Sequence, residues 1–194
     1  MSRFYTSVTT RGDNILYRGY ENGKRVEGRI DYRPTLFVST NKSSKYHTMD
    51  GRSVESFQPG SMSDCRDFIL RHESVTGFDI YGNTDYIYQF IGDKFPDDVE
   101  YDKKQIKVAY LDIETTAENG FPQVKNPTER VNVITLIVDD REYVFALGDC
   151  TMPDNITTYT FTNEKDLLER FLDIWEGEDP DIVTGWNVKF FDMP

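Results

Sequence analysis

Hydrophobic and polar positions along this chain fall into short strand-like runs and a few helical stripes, separated by turn residues. Phe4 to Val8, Ile15 to Tyr20, Arg25 to Tyr32 and Thr35 to Val38 read as strands. Glu21-Asn22-Gly23-Lys24 joins the second to the third, and Asn-Gly there favours the positive φ that a tight antiparallel hairpin needs. Cys65, Phe68, Ile69 and His72 then recur at helical spacing, which predicts a helix over about 62–73, with Ser61 and Asp64 as a capping pair. A second helix is predicted near 84–91 from Tyr86, Ile87, Phe90 and Ile91, with Asn83 as its cap. The acidic, proline-containing stretch from Gly92 to Lys104 reads as a linker, giving two domains, 1–104 and 105–194.

The second domain opens with Ile106-Lys107-Val108-Ala109-Tyr110-Leu111, largely apolar on both faces and therefore expected to be a central strand covered on both sides. A loop rich in Gly, Pro and Asn follows from Glu118 to Glu129. Val131 to Val138 and Glu142 to Leu147 are strands joined at Asp139-Asp140-Arg141, and a shorter one is expected from Ile156 to Phe161. Asn163 caps a helix to about Trp175 whose apolar face is Leu167, Leu168, Phe171, Leu172 and Trp175, and Asp181 to Thr184 is a last short strand. The chain is thus α/β: an α+β first domain, then the opening half of a ribonuclease-H-like domain with a mixed sheet. Trp175 and Trp186 are expected to pack under that sheet, and most strand aromatics to be packing residues.

Composition narrows the chemistry. Cys65 and Cys150 are the two cysteines, with no CxxC pair and no histidine cluster beside them, which disfavours zinc and iron-sulfur sites and fits a reducing, cytoplasmic setting. No apolar run approaches the roughly 20 residues that cross a bilayer, so no membrane partner is expected. A net charge of −12 disfavours phosphate binding by the whole surface, although it suits a site that holds phosphate through bound cations. Lysines 42, 45, 103, 104 and 107 with Arg52 form small basic islands able to guide a strand.

The chemistry-bearing residues end the first strand of the second domain. In Asp112-Ile113-Glu114-Thr115-Thr116 the two acids lie at i and i+2 of a strand, so they share a face, and ionised carboxylates at the rim of a core need a counter-charge such as a divalent cation. Farther on, Asn187-Val188-Lys189-Phe190-Phe191-Asp192 supplies another acid after another strand.

Together these two motifs resemble the first two exonuclease motifs of the family B DNA polymerases. The flanks Gly120-Phe121-Pro122, Phe161-Thr162-Asn163-Glu164-Lys165 and Thr184-Gly185-Trp186-Asn187 are similar to the T-even-type bacteriophage members, as are Phe4-Tyr5 and Tyr32-Arg33-Pro34-Thr35-Leu36-Phe37. The resemblance implies the N-terminal domain and first part of the proofreading 3'-5' exonuclease domain of a replicative DNA-directed DNA polymerase. Two Mg²⁺, or Mn²⁺, about 4 Å apart would generate the attacking hydroxide and stabilise the leaving oxygen. By the same resemblance Asp112 bridges the ions, Glu114 binds the water-activating ion and the terminal sugar, and Asp192 serves the second ion. Asn187, Phe121 and Thr115 belong to the substrate-binding set, Phe121 by stacking on frayed bases.

The family's third motif, Tyr-x-x-x-Asp, lies downstream of the second, and none follows Asp192 here; the polymerase motifs are also absent. The expectation is a chain that is inactive alone and needs the C-terminal remainder of the polymerase, with the 3' end of single-stranded primer DNA as substrate in an infected bacterial cell. The alternatives are a noncatalytic module binding an RNA operator and a standalone metal-dependent exonuclease.

Overall fold

Backbone torsions at Asn22 (φ 53°) and Gly23 (φ 78°) are both positive, so the Asn-Gly pair makes the tight turn its sequence predicts. That turn organises the first of two compact units, Met1–Tyr101 and Asp102–Pro194. The computed structural model describes residues 3–120, 122–189 and 192–193.

In the first unit β1 (Arg3–Arg11), β2 (Asn14–Glu21) and β3 (Lys24–Asp31) form an antiparallel sheet in the order β1-β2-β3. A second sheet has the order β5-β6-β4-β7, built from β4 (Leu36–Ser39), β5 (Tyr46–His47), β6 (Ser53–Phe57) and β7 (Ile80–Tyr81). Helix α1 (Met62–His72) begins at the capping box of Ser61 and Asp64, as expected. The β1–β2 turn reinforces this start, because Asp13 accepts hydrogen bonds from the backbone N–H (2.7 Å) and hydroxyl (2.5 Å) of Ser63. Helix α2 (Tyr86–Lys94) starts at the first residue of its apolar stripe, two residues later than the predicted 84, and runs on past 91; its cap is Asp85, which accepts from the Ile87 N–H. Asn83 instead accepts from the Asp85 N–H and shapes the turn before the helix.

The core of this unit gathers Ile15, Tyr17, Tyr32, Leu36, Met62, Cys65, Tyr86, Phe90 and Phe95. Phe95 lies inside the stretch expected to be a linker, as do Val99, which packs on the core, and Tyr101, whose ring meets Phe4 and Tyr5. Apolar side chains with a groove to fill thus fold most of the Gly92–Tyr101 stretch into the unit.

In the second unit β8 (Val108–Thr115), β9 (Val131–Val138), β10 (Arg141–Leu147), β11 (Thr157–Phe161) and β12 (Ile182–Thr184) form a mixed sheet in the order β11-β10-β9-β8-β12. The β8-β9-β10 pairs are antiparallel, whereas β11 on β10 and β12 on β8 are parallel. One helix, α3 (Glu164–Glu178), is capped by Asn163 and packs on β9, β10 and β11. Leu167 seats it in a core of Ala109, Leu111, Ile134, Leu136, Val138 and Phe145, with Phe171 and Trp175 alongside.

That packing covers one face of β8 and not the other, contrary to the expectation of a strand buried on both sides. Ala109 and Leu111 are buried, while Tyr110 (56% exposed), Asp112 and Glu114 face outward. The uninterrupted apolar run misled because Tyr110 and its cross-strand neighbour Ile137 are apolar side chains on the open face. Trp186 is likewise 90% exposed rather than tucked under the sheet.

Helix α3 is anchored at its far end by a buried acid. Glu178, only 4% exposed, accepts from the Tyr143 hydroxyl at 2.6 Å and pairs with Arg141 at 2.5 Å. The Lys107 ammonium reaches the Glu178 backbone carbonyl and lies 3.8 Å from its carboxylate. Replacing Glu178 by alanine strands two cations and a hydroxyl, and charge-assisted bonds of this kind contribute about 2 kcal/mol. The Glu178→Ala chain is therefore expected to lose about 2 kcal/mol of stability in urea unfolding; an unchanged midpoint would show that the cations rehydrate at no cost.

Candidate functional site

Period-two alternation decides where the candidate acids point. Since Leu111 and Ile113 turn toward the core cluster, Asp112 and Glu114 must project from the opposite face, with Thr135 and Val133 of β9 as their cross-strand neighbours. Thr115 follows a register shift between Glu114 and Thr115 and alternates away from the acids. It lines a small cavity of about 180 Å³ with Ile113, Val131, Pro127, Glu129 and Asp192.

The second motif reaches β8 because β12 is short. Its parallel pairing ends at Thr184, opposite Tyr110, so the edge of β8 beyond that point is left to the loop that follows. Gly185 begins this loop in contact with β8: a methyl group there would overlap the Leu111 carbonyl oxygen. Asn187 then adopts the left-handed region (φ 58°), and the Met193 N–H bonds back to the Val188 carbonyl at 3.1 Å, closing the loop around Asp192.

Asp192 is consequently half-buried at the strand edge. Burial is the largest influence raising its carboxyl pKa, followed by the negative charge of Asp112; Glu114 adds a smaller push, and the backbone N–H of Ile113 pulls the other way. Its Oδ2 is buried and, among the described residues, has no hydrogen-bond partner. Asp192 thus lies close enough to Asp112 and Glu114 to feel both their charges. Among the described residues, however, no three acids, histidines or cysteines close into a ready-made metal cage. Phe121, Phe190 and Phe191 lie outside the described residues, so the structure does not place the expected stacking residue.

One acid that sequence reasoning passed over organises the loop leaving β8. Glu129 accepts from the Thr116 hydroxyl at 2.5 Å, from the backbone N–H groups of Glu118 and Asn119 at 2.9 Å each, and from the Asn119 side-chain amide at 3.0 Å. These donors, the Thr116 hydroxyl foremost, hold its pKa down to about 2. A lone glutamate at the end of a polar loop gives no periodic signal, and only the chain reversal brings its partners within reach.

The folded-state pKa of Glu129 lies below the ordinary glutamate value of roughly 4.3. Its contribution to stability is therefore complete above that value and lost as pH falls toward 2. The Glu118 and Asn119 amide resonances are expected to titrate with a midpoint near 2, a step absent from the Glu129→Gln chain. A midpoint at the ordinary glutamate value would show that these amides are not held by the carboxylate.

Comparison with known proteins gives this geometry a lineage. Residues 74–194 match the family model described as DNA polymerase family B, exonuclease domain. The whole chain aligns with the DNA-directed DNA polymerase of Enterobacteria phage T4 at 32% identity and with that of Escherichia phage RB69 at 31%, covering 25% of each. It therefore spans about a quarter of the length of these curated relatives. The DNA polymerase delta catalytic subunit of Caenorhabditis elegans is 34% identical over 46% of this chain and 9% of its own length. No described helix is long and apolar enough to cross a membrane. On the strength of the family model, which matches well over half of its residues, the chain belongs to the family B DNA polymerases, through their exonuclease domain.

Proposed function

We propose that this chain carries the N-terminal domain and the first metal-binding acids of a proofreading 3'-5' exonuclease in a replicative DNA polymerase, acting on the 3' end of single-stranded primer DNA in the cytoplasm of an infected bacterial cell. The observation that carries the reading is the unpartnered, buried Oδ2 of Asp192 beside two further carboxylates. A protein keeps such a group only where something neutralises it, and oxygen donors suit hard cations such as Mg²⁺ or Mn²⁺. Asp112, Glu114 and Asp192 would be the ligands, drawn into a shared site by the ions they hold. Bound in pairs, such ions lower the pKa of a water and stabilise a leaving 3' oxygen.

The rest of the work falls to this chain's residues. Asp112 and Glu114 present their carboxylates from a strand whose register the core fixes, and Asp192 approaches across the strand edge. Thr115, which lines the cavity beside Asp192, and Asn187, in the loop before that acid, would be the substrate-positioning residues, and Phe121 is the base-stacking side chain of the same reading. The last carboxylate and the water-orienting tyrosine belong to the C-terminal remainder of the polymerase. Hydrolysis by this chain alone is expected to be slow at most.

The test measures Mn²⁺ binding and release of mononucleotides from a single-stranded oligonucleotide. Asp112→Ala and Asp192→Ala are each expected to weaken Mn²⁺ binding at least tenfold, the lower end of losses at perturbed metal sites. Release should be slow and abolished by either change. Brisk release that survives Asp112→Ala would overturn the assignment.

A specific feature of the first unit favours an additional reading, that of an RNA-binding surface. Phe37, Tyr46, Val54 and Tyr81 share one face of the β5-β6-β4-β7 sheet and line an open cavity of about 520 Å³. Lys45 lies 4.8 Å over the Tyr46 ring and Arg52 5.7 Å over that of Tyr81, so rings and cations alternate as in surfaces that stack single-stranded bases. Binding of a fluorescent RNA hairpin by the whole chain should weaken steeply with salt, and Tyr46→Ala and Tyr81→Ala should each weaken it about tenfold, matching a stacking loss of roughly 1 to 3 kcal/mol per base. No binding at low salt would remove this reading.

A further inference from the structure

Asp112 and Glu114 are exposed, and no described residue donates a hydrogen bond to either side chain. The backbone of β8 therefore sets the face from which they project. For Asp112 that is secure, since the strand is paired on one side with Thr135 and its neighbours throughout. Glu114 is different. It sits immediately before the register shift at Thr115, where the ladder to β9 skips a residue, and immediately before the chain leaves the sheet. Strand ends next to a bulge fray, because the extra residue forfeits ladder hydrogen bonds.

What holds this end is a knot of hydrogen bonds around Thr116. Its N–H donates to the Arg130 carbonyl at 2.8 Å, its hydroxyl accepts from the Arg130 N–H at 3.0 Å, and the same hydroxyl donates to Glu129 at 2.5 Å. Glu129 then gathers the Glu118 and Asn119 amides of the returning turn on its two oxygens. The carboxylate thereby closes the loop on itself two residues past Glu114, and it lines the cavity that Asp192 also lines. We propose that Glu129 is a positioning residue for the acidic site: acting through Thr116, it fixes the exit of β8 and so the aim of Glu114, without touching an ion or the nucleic acid itself. The proposal rests on the reading that Asp112, Glu114 and Asp192 hold divalent cations.

The experiment counts Mn²⁺ bound to the whole chain by electron paramagnetic resonance and records thermal midpoints without metal. Glu129→Gln and Thr116→Val are each expected to weaken Mn²⁺ binding about tenfold, as losses of residues that orient metal ligands do. Thr116→Ser, which keeps the hydroxyl, should bind like the unsubstituted chain. The Glu129→Gln/Thr116→Val double variant should be no weaker than either single one, since both break the same connection. Tight binding by Glu129→Gln and Thr116→Val, with Asp112→Ala still losing the ion, overturns the positioning role and leaves the metal reading intact. Lowered midpoints with unaltered affinity do the same, by assigning Glu129 to stability alone. If the unsubstituted chain binds no Mn²⁺, the metal reading fails and the positioning role falls with it.

Discussion

A strand whose one face is buried has no freedom to rotate its other face, and β8 is held by this constraint. Slipping its pairing with β9 by a single residue would bring Asp112 and Glu114 into the core and expel Leu111 and Ile113. Burial of Ala109 and Leu111 against Leu136, Val138 and Leu167 makes that slip prohibitive, so apolar packing beneath the sheet aims the carboxylates above it. The short pairing of β12 completes the arrangement by leaving the strand edge open where Asp192 arrives. Site geometry is in this sense a by-product of core packing, with the loop bonds around Thr116 and Glu129 governing the one place where the core no longer reaches.

Two treatments of buried or crowded acids stand side by side in the second unit. Glu178 is given Arg141, Lys107 and the Tyr143 hydroxyl, and it joins the end of α3 to β10 and to the residue leading into β8. Asp192 is given like charges for neighbours and one oxygen with no partner. The first arrangement is what structural use of a carboxylate looks like; the second is costly unless a cation offsets it. The contrast distinguishes the site more sharply than the acidic composition of the chain, which surrounds both residues equally.

Elements with strong local chemistry were legible in the sequence. The Asn-Gly turn, the Ser61–Asp64 capping box, the β9–β10 hairpin and Asn163 at the start of α3 all depend on neighbours in the chain, and all formed as their residues indicate. The short strands β5 and β7 were not legible, because two residues carry no periodicity and exist only through pairing with β6 and β4. Asp85 displaced Asn83 as a cap since both are suitable residue types and the final position is decided by the turn. In the site, the shared face of Asp112 and Glu114 followed from alternation, whereas the loop-holding role of Glu129 and the outward Trp186 follow from long-range folding that no local pattern encodes.

Gly185 shows how an omitted atom can serve as a fastener. Its backbone torsion is open to any residue, so what excludes larger side chains is the Leu111 carbonyl lying where a methyl group would go. Two main chains meet here at a separation that only hydrogen on the α-carbon permits, and the loop toward Asn187 sets out from that meeting point. A bulkier residue would have to push the start of this loop away from the Leu111 carbonyl. The path toward the second acidic motif is thus fixed through empty space rather than through a bond.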